Sequence, residues 1–181
     1  MTDTSAPLAS RRRLPVSILI GTGLAVVIVA AAVLAPSLIP FDPMRMAAGP
    51  RLAAPSFDHL FGTDEFGRDL FSRVLTGGRL SLGIGLTAVV SGLAIGGLIG
   101  LVAAFAGRLV EATLLRIIDV LYSFPDTLIA LALVAFLGPG IENATLAIAI
   151  SLVPFYARVT YGLAAAERAK PYVMAAKLAG I

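Results

Sequence analysis

The chain has 181 residues, of which 58% are hydrophobic and only 14% are charged, and its net charge at pH 7 is +3. A chain this apolar has too few polar side chains to cover its own surface in water, which favours a membrane protein over a soluble domain. It has no cysteine and one histidine, which excludes disulfides, thiolate metal sites and cysteine nucleophiles and leaves little scope for a histidine-based site. It also has no G-x-x-x-x-G-K-[ST] phosphate loop, so any ATP that drives its function must bind to another chain.

The first predicted membrane span runs from Val16 to about Leu34 and follows the three arginines at 11–13. About 20 apolar residues are enough for a helix to cross the hydrocarbon core. A secretory signal peptide is the alternative, and Ser10-Arg11-Arg12 hints at a twin-arginine signal, but a signal core usually has only about 7 to 15 apolar residues. We therefore predict a cytoplasmic N-terminal tail over residues 1–15 and a first transmembrane helix over residues 16–35.

An external loop that contains an amphipathic helix is predicted over residues 36–79. Its sequence HLFGTDEFGRDLFSR, residues 59–73, places six ionisable side chains among apolar ones at helical spacing. Thr63 is the predicted N-cap of this helix, and Gly77-Gly78 is expected to end it. We expect the helix to lie flat as an interfacial anchor, with a docking surface for a soluble partner as the alternative.

Within that helix two ion pairs are predicted, Asp64–Arg68 and Asp69–Arg73, because both have i,i+4 spacing. His59, which precedes the predicted helix, is expected to be an ordinary loop residue and not a metal ligand.

The second predicted span runs from Leu80 to about Phe105. Four small residues lie four positions apart along it and so share one face of the helix: Ala88, Gly92, Gly96 and Gly100. Small residues let helix backbones approach closely in lipid, so this face predicts a tightly packed neighbouring helix.

The third predicted span lies between Ile117 and Leu137, is interrupted by Pro125, and ends at Gly138-Pro139-Gly140. The fourth runs from about Ile141 to Tyr161 with Pro154 inside it. A proline inside a span bends the helix but is tolerated where neighbouring groups satisfy the freed carbonyl.

Loop charges predict which side of the membrane each loop faces, because positive charge is retained in the cytoplasm. The N-terminal tail, the 106–116 connection and the C-terminal tail carry arginine or lysine, whereas the 138–144 connection carries none. These four regions agree on a cytoplasmic N-terminus and C-terminus. The 36–79 segment carries five arginines beside five acids and runs against the rule, but we place it outside because the other regions agree.

Ionisable groups inside spans usually mark functional sites, because a charge at the bilayer centre is costly. We expect Arg116 and Asp119 to pair with each other near the inner surface. Asp126 is expected at the inner interface, with a place along an aqueous path as the alternative.

The C-terminal stretch ERAKPYVMAAKLAGI predicts a short cytoplasmic helix that begins near Pro171. It carries the small residues Ala175, Ala176 and Gly180, which would let it enter a cleft of another protein. A generic surface helix is the alternative.

Four blocks occur in order: HLFGTDEFGRDLFSRVLTGGRLSLGIGL, RIIDVLYSFPDTLIALALVAFLGPG, PFYARV and YVMAAKLAG. Together they resemble the C-type permease subunit of bacterial ABC importers for dipeptides, oligopeptides or nickel, from about Arg11 to Ile181. The resemblance implies an all-α, polytopic transmembrane bundle of the type I importer class, with four of about six spans present. It assigns residues 80–181 to the start of the permease core, which contains three spans and the beginning of the coupling helix.

The resemblance also implies the partners: a second permease subunit, two ATP-binding subunits, an external substrate-binding protein and the lipid membrane, with no nucleic acid and no cofactor. The family's coupling motif, E-A-A-x-x-x-G, matches at Ala175, Ala176 and Gly180, and Tyr172 lies on the same helix. Met174 stands where the family usually has Glu, which puts one polar contact to the ATPase in doubt.

The family continues through the rest of the coupling loop and two further spans, whereas this chain stops at Ile181. We therefore expect a fragment of a longer product or a broken or split gene, and we do not expect the chain to transport alone. An ion- or proton-coupled carrier and a non-functional fragment are the alternatives, and a membrane enzyme ranks last because no catalytic arrangement lies within a span. The sequence names neither the ligand nor the residues that contact it.

Overall fold

A computed structural model describes residues 16–180, and the predicted cytoplasmic tail over residues 1–15 lies outside them, as does Ile181. The described residues form six α-helices, and the only strand-like pairing among them is an isolated bridge between Thr63 and Asp69. The helices are α1 (Val16–Leu38), α2 (Leu70–Phe105), α3 (Arg108–Tyr122), α4 (Asp126–Leu137), α5 (Ile141–Arg168) and α6 (Pro171–Leu178). The predicted all-α class is therefore confirmed.

Three of these helices, α1, α2 and α5, are long and apolar enough to cross a membrane. A fourth crossing is possible if α3 and α4, which meet at an angle of 87°, together form one broken span. The interruption predicted at Pro125 and the end predicted at Leu137 are confirmed, whereas the predicted start at Ile117 was wrong. The helix begins at Arg108, so most of the expected 106–116 connection is helical, and the chain turns sharply at residues 123–125. Pro125 explains the break, because the residue before a proline is driven out of the helical region.

The chain divides into two compact units, with the boundary after Leu80. The first contains α1, the segment between α1 and α2, and the first turns of α2. The second contains the rest of α2 and all later helices. The assignment of residues 36–79 to an external loop and of residues 80–181 to a permease core stays a prediction.

The amphipathic helix predicted from Thr63 to Gly77-Gly78 was wrong in its first part and is helical only from Leu70 onwards. Residues 39–69 are irregular, and α2 begins at Leu70, not at a cap on Thr63. Instead of capping a helix, the Thr63 side chain accepts a hydrogen bond from Ala53 N–H at 2.9 Å and donates one to the Pro50 carbonyl. Gly62 precedes it at φ +74°, where a Cβ would lie 2.3 Å from the Ala53 carbonyl oxygen. The turn that Gly62 forms requires glycine, and it competes with helix formation here.

Gly77-Gly78 was expected to end a helix before the second span, but α2 continues through both residues for 36 residues in all. At about 1.5 Å per residue, α2 is about 54 Å long and exceeds the thickness of a bilayer core. Nothing lies within 4 Å of the Cβ position of either glycine. Each glycine destabilises the helix by about 1 kcal/mol relative to alanine. The long apolar run that follows stabilises α2 enough for the helix to continue through both.

Candidate functional site

The small-residue face of α2 lies directly against the backbone of α5. Cβ atoms built on Gly92, Gly96 and Gly100 would lie 3.0, 2.5 and 2.5 Å from the carbonyl oxygens of Ala149, Val153 and Ala157, respectively. Ala88, one step earlier, is fully buried. Contacts of this kind leave no space for a side chain, so the two helices approach backbone to backbone.

These contacts also fix the relative direction of α2 and α5. Each joins residues 57 positions apart (92 with 149, 96 with 153, 100 with 157), so both helices run the same way. The same offset places Ile141, the first residue of α5, level with Ile84. The end of α2, Phe105, lies about 20 helical residues, or about 30 Å, beyond the level of Ile84. The chain between α2 and α5 must therefore run back over that distance before α5 begins. That distance equals the thickness of a bilayer core, which favours α3 and α4 as the two halves of one broken span.

The predicted coupling residues lie on α6 and just beyond it. Tyr172, Ala175 and Gly180 are exposed, Ala176 is half-buried, and Gly180 has a positive φ of 80°. The Tyr172 hydroxyl donates a hydrogen bond to Glu167, and Lys170 Nζ lies 2.6 Å from the other oxygen of that carboxylate. The hydrogen bond to Glu167 raises the pKa of both Lys170 and Tyr172. Glu167 thereby ties the first turn of α6 to the end of α5.

A buried polar cluster fixes the start of α2 in the first unit. Asp69 is fully buried and acts as the N-cap, because its Oδ2 accepts a hydrogen bond from Ser72 N–H at 2.7 Å. Its Oδ1 lies 3.0 Å from Nδ1 of His59, which is also buried. Desolvation raises the pKa of Asp69, but the hydrogen bonds from Ser72 and His59 outweigh it and hold the pKa below its usual value.

His59 lies in a loop, as expected, but its burial and its contact with Asp69 were not predicted. Its ring packs at 5.0 Å from the ring of Phe41 and over Gly49, where a Cβ would lie 2.3 Å from Nε2. The sequence does contain a signal for the start of α2 at this cluster. Asp69 stands directly before an apolar run and Ser72 follows three residues later, which is a helix-start pattern.

A second cluster surrounds Asp64. Its carboxylate accepts from the guanidinium of Arg68 at 2.7 Å, from that of Arg73, and from the backbone N–H groups of Phe66 and Arg68. The predicted Asp64–Arg68 pair is confirmed, but Arg73 pairs with Asp64 and not with Asp69. Desolvation raises the pKa of Asp64, whereas these hydrogen bonds lower it, and the net effect is a pKa of about 2.

Two further polar contacts hold α3 against α5. Asp119 pairs with Arg158 of α5, so the predicted Arg116–Asp119 pair was wrong. The Tyr161 hydroxyl donates to Glu111 Oε1 at 2.6 Å. The two residues in each contact are 39 or more positions apart. The helical spacing within α3 therefore could not predict either pair.

A cavity of about 450 Å³ lies where the α3–α4 corner meets α5. It is lined by Tyr122, Phe124 and Asp126 from the corner and by Ser151 and Phe155, among others, from α5. Asp126 is exposed, and its Oδ1 accepts a hydrogen bond from Thr127 N–H at 2.8 Å. Within residues 16–180, no group of three or more His, Cys, Asp or Glu side chains could hold a metal ion.

A comparison with protein families gives one match. The family model described as the binding-protein-dependent transport system inner membrane component matches residues 92–181. These residues contain the last part of α2 from Gly92 onwards and the helices α3 to α6.

Curated relatives with similar sequences are transport permeases. The dipeptide transport system permease of Alkalihalophilus pseudofirmus is 44% identical over 72% of this chain and 43% of its own length. The probable D,D-dipeptide transport system permease of Escherichia coli is 44% identical over 82% of this chain and 50% of its own length. The glutathione transport system permease of Pectobacterium atrosepticum is 37% identical over 94% of this chain and 57% of its own length. The chain thus spans about half the length of these relatives.

Proposed function

Because the chain belongs to the family of binding-protein-dependent transport system inner membrane components, we propose that it is a permease subunit of an ATP-driven peptide importer. The family match and the three long apolar helices support a multi-pass membrane protein with a role in transport, and we assign it no catalytic centre of its own. The observation that carries the proposal is α6, a short helix that contains Ala175 and Ala176 and follows the long apolar helix α5. ATP hydrolysis is assigned to separate partner chains, in keeping with the missing phosphate loop.

In the proposed mechanism α6 is the coupling helix. Ala175 and Ala176 let it seat in a cleft of an ATPase subunit, and Tyr172 and Lys170 fix it to Glu167 of α5. A push on α6 is then passed to α5 and, through the backbone contacts at Gly92, Gly96 and Gly100, to α2. Closure of two ATPases would rock these helices together between inward-open and outward-open states.

The proposed orientation places the N-terminus, the α2–α3 connection and α6 in the cytoplasm of a bacterium, at its inner membrane. Residues 39–69 then face outward, and the exposed Phe57 and Phe61 offer an apolar surface to a substrate-binding protein. A second permease subunit would complete the translocation path, with residues 80–181 contributing to its core.

Uptake of a radiolabelled dipeptide tests this function. The complete importer is expressed in cells that lack other peptide transport, with this chain carrying Ala176→Glu or no change. We expect Ala176→Glu to abolish uptake and to reduce co-purification of the ATPase, because a charged side chain would enter the docking cleft. Ala169→Glu is the matched control, since Ala169 is exposed on the same side of the membrane but precedes α6.

Two outcomes would contradict the proposal. Normal uptake and normal ATPase co-purification with Ala176→Glu would remove α6 from the mechanism. Uptake that an uncoupler abolishes while cellular ATP is held constant would favour an ion- or proton-coupled carrier.

A further inference from the structure

We propose that Asp126 and the cavity beside it bind the ammonium group of a peptide during its passage through the membrane. The inference rests on the proposed function, and it assigns a ligand contact to this chain. Four observations support it: the depth of the cavity, the lack of an ion-pair partner for Asp126 among residues 16–180, the other hydrogen-bond acceptors nearby and the aromatic side chains that line the cavity.

The cavity lies at the middle of the membrane-spanning region. Ser151 and Pro154, which line it, are 10 and 13 residues into α5, a helix of 28 residues. They are therefore about 15 to 20 Å from the start of the helix and about 21 to 26 Å from its end. Asp126 lines the same cavity, so we infer that it lies at this depth, along an aqueous path and not at the inner interface.

A carboxylate at this depth needs a cation or water. Among residues 16–180, Asp126 forms no ion pair, whereas Asp119, one turn before the corner, is paired with Arg158. Its Oδ1 accepts only the adjacent Thr127 N–H. Acidic residues at membrane depth face a water-filled path or a partner charge, because lipid exposure is costly. Asp126 thus has the chemistry to receive a cation from the cavity.

Other acceptors lie at the same level of α5. Pro154 has no N–H, so the carbonyl of Ile150 lacks its usual helical partner. The hydroxyl of Ser151 donates to the Ile148 carbonyl at 2.9 Å, which leaves its oxygen free to accept. An ammonium group has three donors and prefers a site with one carboxylate and further neutral acceptors.

Aromatic walls complete the site. Tyr122 and Phe124 line it from the α3–α4 corner and Phe155 lines it from α5. Aromatic faces attract cations and also accept apolar peptide side chains without selecting among them. The cavity volume of about 450 Å³ lies within the usual range for small-ligand sites. These features suit the amino-terminal end of a short peptide whose side chains vary.

Thiol chemistry on the assembled importer tests this proposal. The chain has no cysteine, so Ile129→Cys, which lines the cavity, introduces the only thiol on this chain. We expect a trimethylammonium-bearing thiosulfonate to react with it about tenfold faster than a sulfonate-bearing one, because Asp126 attracts cations. Adding Asp126→Asn should remove this preference, and Glu142→Gln, an exposed carboxylate at the start of α5, should leave it unchanged.

The ligand is tested by protection in detergent, without the binding protein. Millimolar alanyl-alanine should slow the reaction at Ile129→Cys, and N-acetyl-alanyl-alanine should not. Equal protection by both peptides, equal rates for both reagents, or no reaction with either would overturn the proposal, as would normal dipeptide uptake with Asp126→Asn. If the unmodified importer takes up no dipeptide, the proposed function fails, whereas the ratio of the two reagents still tests the cavity.

Discussion

Gly96 of α2 and Val153 of α5 approach each other so closely that a Cβ on Gly96 would lie 2.5 Å from the Val153 carbonyl oxygen. It would also lie 2.9 Å from Cβ of Tyr156 and 3.0 Å from the backbone nitrogen of Ala157. Two of these three atoms belong to the backbone and cannot turn aside as a flexible side chain can. The packing of α2 on α5 therefore depends on the absence of a side chain at this position.

Gly96→Ala should destabilise the protein by about 1 to 3 kcal/mol, which is the usual cost of overpacking a tight interface. The gain in helix propensity, about 1 kcal/mol, is too small to offset a clash with backbone atoms. Thermal unfolding of the importer in detergent should show the loss as a lower midpoint temperature.

Gly97→Ala is the matched control for Gly96→Ala. The nearest atom to its Cβ position is Thr160 Oγ1 at 3.8 Å, which is ordinary contact. This variant should unfold at the same temperature as the unmodified protein or slightly higher, because it gains helix propensity without a clash. If both variants behave alike, the α2–α5 contact does not set stability.

The sequence predicted the apolar helices well because each is marked by a long run of apolar residues. It also placed the four small residues on one face, since a spacing of four is visible without any partner. The partner itself, α5, was not predictable, because the contact joins residues 57 positions apart. The same limit applies to Asp119 and Arg158, which lie on different helices.

The external segment was predicted less well because two local signals compete there. Helical spacing of Phe66, Leu70 and Phe71 favoured a helix from Thr63, whereas Gly62 and Gly67 adopt positive φ values of 74° and 70°. Those turns delay the helix until Leu70, where Asp69 caps it. Phe71 then packs edge-on against Phe61 at 5.2 Å and not along a lipid-facing stripe.

Asp69→Ala should loosen the start of α2. It removes the acceptor for Ser72 N–H, at a cost of about 0.5 to 2 kcal/mol, and leaves the buried His59 without its partner. Hydrogen exchange at the Ser72 amide should accelerate. Asp69→Asn should behave more like the unmodified protein, because asparagine caps helices nearly as well, and Asp58→Ala, at an exposed loop position, should change nothing.

Acid should weaken the segment between α1 and α2 through Asp64. Its pKa is about 2 in the folded protein and 3.8 in an ordinary carboxyl group, so its ionised form stabilises the fold. This stabilisation is present above pH 3.8 and is lost as the pH falls towards 2. Arg68 and Arg73 then lose their charged partner, and hydrogen exchange of the Arg68 amide, which donates to Asp64, should accelerate in the purified importer by more than the pH change alone explains.

Asp64→Asn should make those two arginines susceptible to trypsin already at neutral pH, because neither retains its carboxylate partner. A variant that stays as resistant as the unmodified protein at neutral pH would show that Asp64 does not hold this segment.

Single cysteines should report the proposed orientation, because the chain has none of its own. Phe57 is fully exposed on the segment between α1 and α2, and Leu178, at the end of α6, is 91% exposed. In intact cells a membrane-impermeant maleimide should label Phe57→Cys, since four crossings with a cytoplasmic N-terminus place this segment outside. Leu178→Cys should react only after the inner membrane is permeabilised. Labelling of Leu178→Cys in intact cells would place α6 outside, where no ATPase could reach it, and the proposed coupling would have to be abandoned.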